Sequence, residues 1–69
     1  MASAKITEMM ASSSESFDAA LKKGIARAHK TIKNLRAARI ESQTVELSDN
    51  GSITAYRVVL EITFMIEEE

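Results

Sequence analysis

Two hydrophobic periods divide the chain. Tyr56, Val58, Leu60, Ile62, Phe64 and Ile66 repeat every second residue, with Arg57, Val59, Glu61, Thr63 and Met65 between them. This alternation predicts a half-buried strand from Ile53 to Ile66, with the first set facing a helix. Val59 and Met65 do not suit plain solvent, so the second set calls for another contact surface, between subunits or with a ligand. Upstream the period lengthens. Phe17, Leu21, Gly24, Ile25, Ala28, Ile32 and Leu35 fall within an arc about 100° wide when each residue turns about 100°. Ser12 and Glu15 match a capping box, in which the Ser hydroxyl and the Glu side chain each satisfy a free amide of the first turn. A helix is predicted from about Ser13 to Asn34. Gly24 lies inside its apolar stripe, where Gly costs about 1 kcal/mol relative to Ala, so a neighbouring backbone is expected close by.

Ser48-Asp49-Asn50-Gly51-Ser52 reads as a hairpin turn, since Asn-Gly suits positive φ. The strand before it spans about Arg36 to Leu47. Ile40 has one parity there, while Val45 and Leu47 have the other, and a bulge between Ser42 and Thr44 reconciles them. Ala4 to Met10 reads as a shorter strand. The fold class is α+β: a β-α-β-β chain whose long bent hairpin, with antiparallel strands, wraps around one helix. One helix cannot cover both sheet faces, so self-association is expected.

Length strengthens that expectation. The chain has 69 residues, enough for one domain over residues 1–69. Ordering them costs on the order of 100 kcal/mol, and so small a core rarely leaves more than about 3–5 kcal/mol of net stability. Cys is 0 and His is 1, so disulfides, thiolate metal sites and imidazole clusters are excluded as staples. Burial against copies of the same chain is the remaining one. A well-packed monomer is the competing reading. The start, Met1 to Lys5, has no apolar run of secretory length, and no stretch approaches the roughly 20 apolar residues of a membrane span. A soluble, cytoplasmic protein is expected, and the absence of Cys fits a reducing compartment.

The layout and several pieces of sequence resemble the dodecin family. The pieces are Ala11-Ser12-Ser13, then Ser16-Phe17-x-x-Ala20, then Ala26-Arg27-Ala28 with Lys30-Thr31-Ile32-x-Asn34-Leu35, and finally Tyr56-Arg57-Val58-Val59-Leu60-Glu61-Ile62-x-Phe64 before Glu67-Glu68. The resemblance implies a three-stranded antiparallel sheet folded around one helix, with twelve such subunits in a hollow tetrahedral shell. It also implies flavin (riboflavin or FMN) held as stacked pairs near three-fold contacts for storage or quenching, without enzymatic activity. By position the flavin-stacking Trp of the family falls at Ala37, and the Gln that binds the ring edge falls at Arg57. The arginines of bacterial FMN binders fall at Thr44 and Met65. None of these cofactor-binding positions keeps its usual residue, and Trp is 0. Each lost aromatic contact removes roughly 0.5–1.5 kcal/mol beyond area burial. A shell that binds no flavin, and holds another anionic ligand or a cation, is therefore the alternative.

Charge adds one further candidate. Lys22, Lys23, Arg27, Lys30, Lys33, Arg36 and Arg39 cluster without an intervening acid. They read first as the solvated face of a helix whose late cations complement its dipole, and second as a surface for a polyanion or phosphate. Phe17, Tyr56 and Phe64 all have core parity and cannot stack on exposed bases, which argues against nucleic acid. Arg57 is expected to pair with Glu41 or Glu61, or else to offer its donor fork to a ligand. His29 reads as a boundary residue. Met9, Met10 and Met65 read as core or interface filling. Asp49-Asn50-Gly51 reads as a turn rather than a calcium loop. Glu67 to Glu69 read as a solvated tail, with a weak cation site between tails as the minor reading. No nucleophile elbow, phosphate loop or metal triad is present.

Overall fold

The computed structural model describes residues 2–67, and the four elements follow in the order expected: β1 (Ala2–Ser13), α1 (Phe17–Thr31), β2 (Leu35–Leu47) and β3 (Ile53–Glu67). β3 is the central strand and runs antiparallel to both neighbours, giving the order β1-β3-β2. Its alternation decides which face is buried. Val58, Leu60 and Ile62 are 0%, 0% and 1% exposed and lie under α1 with Ala11, Ala20 and Ala28. Tyr56, Phe64 and Ile66 share their parity but are only half-buried. The reason is length: fifteen helical residues reach about 22 Å, while fifteen strand residues reach about 50 Å.

The helix begins later than the pattern suggests. Ser16, not Ser12, caps it, and the Ser16 hydroxyl accepts from the Ala19 amide at 2.9 Å. Ser12 and Ser13 instead end β1, with the Ser13 hydroxyl accepting from the Glu15 amide at 3.0 Å. No capping box forms. At the other end Ile32 is the C-cap, and Asn34 takes φ 63°, a left-handed conformation that Asn tolerates. Its carbonyl accepts from the Met65 amide at 3.0 Å, which turns the chain into β2 beside the end of β3.

β1 also runs beyond the Ala4–Met10 core of its pattern, because β3 offers pairing partners from Glu67 back to Tyr56. The bend in β2 falls two residues earlier than expected, between Ile40 and Ser42, with further register shifts at Leu35/Ala37 and Glu46/Leu47. In the hairpin only Gly51 takes positive φ, at 85°; Asn50 does not, and its side chain instead accepts from the Ser52 amide at 3.0 Å. Gly24 does sit at a close approach, but to side chains rather than backbone. A Cβ there would lie 2.7 Å from Leu60 Cδ1 and 3.2 Å from Ala11 Cβ.

α1 is set off-centre. It packs chiefly on β1 and β3 and scarcely touches β2. Two surfaces therefore stay open: the sheet face away from the helix, and the β2 flank beside it.

Candidate functional site

The outer sheet face carries the four positions singled out by sequence. Cα partners across a ladder share a face, so Ala37 opposite Thr63, Thr44 opposite Arg57, and Met65 opposite Ala4 all point away from α1. They do not meet in one subunit. Thr44 and Arg57 form one group. Ala37 lies diagonally from Met65 and forms the other. Six to eight residues of β3 separate the groups, about 20–26 Å at the usual strand rise. A single pocket containing all four needs more than one copy of the chain.

Arg57 is half-buried and ion-paired, but its partner is Glu46 on β2 rather than Glu41 or Glu61. Glu46 lies on the same face, opposite Ala55, and the register shifts of β2 bring it into reach. The pair leaves the Thr44/Arg57 end without net charge. The expected partners belong to Arg39, which meets Glu61 at 3.1 Å and Glu41 at 3.7 Å. Glu8 stands directly opposite Glu61. One guanidinium thus pairs with two carboxylates, and the third, Glu8, reaches Glu41. Glu8 pushes the Glu41 carboxyl above its ordinary range, because the two hold each other only by sharing a proton; partial desolvation and the charge of Glu61 add to this, and Arg39 opposes it. The hydrogen bond to Glu61 raises Arg39 in turn. Among the described residues no acidic or His group is arranged to hold a metal ion.

Around these charges the outer face is apolar. Ile6 and Met10 are 61% and 58% exposed, and Val59 and Met65 are half-buried beside them. Met9 packs on the core instead. Sequence parity alone identified Val59 and Met65; Ile6 and Met10 join them only once the β1 register is known.

The second opening is a depression of about 210 Å³ on the β2 flank, lined by Ile25, Leu35, Arg36, Ala37, Ala38 and Ile62. Ile25 belongs to the helix stripe yet remains 37% exposed, because α1 leaves β2 uncovered. His29 is exposed, one turn further along. Within the basic window Lys22 pairs with Asp18 at 3.1 Å and Lys23 donates to the Ser12 carbonyl at 3.3 Å. Phe17 and Tyr56 pack edge to face with centroids 5.2 Å apart, so neither is presented to solvent as a stacking platform. Glu67 closes β3, while Glu68 and Glu69 lie outside the described residues. No helix among the described residues is long and apolar enough to cross a membrane.

A profile of the Dodecin family matches residues 4–67. The dodecin of Thermus thermophilus is 33% identical over 64 residues, which is 93% of this chain and 91% of that protein. A crystal structure of a variant of that dodecin superposes with a TM-score of 0.89 at 31% identity, over 99% of this chain and 100% of the other. The Streptomyces davaonensis dodecin gives 0.89 at 28% identity, over 97% of each chain. A calcium dodecin of Mycobacterium tuberculosis, described as calcium-chelating with a novel calcium-binding site, gives 0.81 at 25% identity over 97% of this chain and 94% of its own.

Proposed function

The chain belongs to the dodecin family, and we propose that residues 1–69 form one non-enzymatic domain that assembles into a homo-oligomeric shell, twelve copies by family pattern, and sequesters a small flat ligand. One observation carries this reading. The sheet face opposite α1 presents Ile6, Met10, Val59 and Met65 around paired charges, and no element among the described residues covers them. Copies of the chain can cover that face, and doing so would bring the Ala37/Met65 group of one copy towards the Thr44/Arg57 group of another. A cytoplasmic setting suits the Cys-free composition.

Flavin is the ligand this reading tests first, and the residues present favour riboflavin over FMN. Thr44 and Met65 offer no positive charge to a phosphate, and Arg57 is already neutralised by Glu46. Titration of riboflavin and FMN against micromolar protein, followed by flavin fluorescence, is expected to quench riboflavin more strongly. Unchanged emission from both removes the flavin ligand.

The second reading is a shell that holds no flavin. It is favoured by the loss of the usual residue at all four pocket positions. A colourless protein that retains a large assembly supports it.

A further inference from the structure

The most exposed part of the hairpin and the open flank of β2 fit each other. The strands β2 and β3 end in the apolar pair Leu47 and Ile53, directly opposite one another and 60% and 50% exposed. Between them the turn carries a single acid, Asp49. The depression on the β2 flank has an apolar floor of Ile25, Leu35, Ala38 and Ile62 and a basic rim at Arg36. Lys33 lies just before β2 and is exposed as well. Among the described residues neither Asp49 nor Arg36 is ion-paired. An exposed apolar pair tipped by a carboxylate and an open apolar pocket edged by a guanidinium are complementary in polarity and in charge.

Size agrees. A cavity of about 150 Å³ lined by aliphatic and aromatic groups accepts a ring the size of benzene, so a depression of about 210 Å³ accommodates a branched aliphatic side chain. The tip cannot fill the pocket of its own chain. Nine residues of β3 separate Ile53 from Ile62, about 30 Å at the usual rise, within a subunit whose longest dimension is 56 Å.

We propose that the Leu47/Ile53 hairpin tip of one copy docks in the Ile25–Ile62 depression of the next, with Asp49 against Arg36. The contact rests on the shell reading and says which surfaces build it. It is head-to-tail: each copy offers one tip and receives one. Such heterologous contacts close into rings when the rotation allows. The contact also finishes the burial that α1 leaves incomplete, since it covers Ile25 and the start of β2.

Cysteine pairing tests the contact directly, because the chain has no cysteine of its own. A disulfide needs Cα atoms within about 7 Å, so the double variant Ile25→Cys/Leu47→Cys can cross-link only between copies. Oxidised in its assembled form and run on a denaturing non-reducing gel, it is expected to give a ladder with rungs of 7.6 kDa, while each single variant stays at one rung. Charge reversal provides an independent measure should the thiol variants fail to assemble. Arg36→Glu and Asp49→Arg are each expected to lower the assembled fraction several-fold at low salt, and the two together to restore it. An intact assembly without a ladder, a dimer band from Leu47→Cys alone, or reversals that leave assembly unchanged overturn the tip-to-pocket contact while the shell stands. A wild-type particle of a single chain removes the shell and the contact together.

Discussion

β1 and β2 pair with β3 over nearly its whole length, yet only one of them is finished by its own chain. On the β1 side Ala11 is 3% exposed, and Gly24 brings α1 so close that a methyl group would collide with Leu60. On the β2 side Leu35, Ile40 and Val45 are half-buried and every other residue of the strand is exposed. β1 pairs with β3 without interruption and β2 does so through three register shifts, yet both stay paired, so loss of pairing is not what separates them. The cause is where one short helix is placed on a sheet twice its length. The filled flank holds the chain together, and the open flank with the outer face is what the proposed assembly would cover.

The comparison is sharpest at Leu60 and Ile40, which are opposite one another in the ladder. Leu60→Ala leaves a cavity in the filled core and is expected to cost about 2–5 kcal/mol. Ile40→Ala, at a half-buried site, is expected to cost clearly less. Urea unfolding at one fixed protein concentration measures both, since assembly makes stability concentration-dependent. Equal losses would erase the distinction between the flanks.

Gly24 gives the next effect. Gly24→Ala gains about 1 kcal/mol of helix propensity, but the added carbon meets the fully buried Leu60 side chain, and overpacking costs about 1–3 kcal/mol. A net loss of up to about 2 kcal/mol is expected. The same Gly-to-Ala gain would appear undiminished if α1 stood further from β3.

The smallest effect belongs to the outer face. Glu41 is raised in the folded chain by its contact with Glu8, so the folded state binds more protons than the unfolded one above the ordinary value of 4.5. Stability from this group therefore falls as pH rises from that value through the raised one. Glu41→Gln is expected to flatten that part of the stability profile and to leave neutral-pH stability unchanged or slightly higher. A profile as steep as the wild type's would place the titration elsewhere.

Most of the fold was legible because β3 keeps its alternation over eleven residues, Tyr56 to Ile66, and α1 keeps a clean apolar arc. The element edges were less so, for identifiable reasons. Ser12-x-x-Glu15 and Ser16 compete for the same role, and pairing of Ser12 and Ser13 with Arg57 and Tyr56 decides between them, a long-range fact that local pattern does not contain. The bulge could be inferred from the parity conflict in β2, but its place depends on register. The same register hid Glu46 as the partner of Arg57 and Glu8 as the neighbour of Glu41. The outer face was foreseeable from Val59 and Met65. The depression was not, because Ile25 fits the helix stripe and only the off-centre seat of α1 exposes it.

Native mass spectrometry over a dilution series tests most directly whether copies complete what one chain leaves open. A particle many times 7.6 kDa, twelve-fold by family pattern and persistent at micromolar protein, is the predicted result. A folded species of one chain at every concentration would mean that the uncovered sheet face and the open β2 flank are stable in water, which contradicts the account.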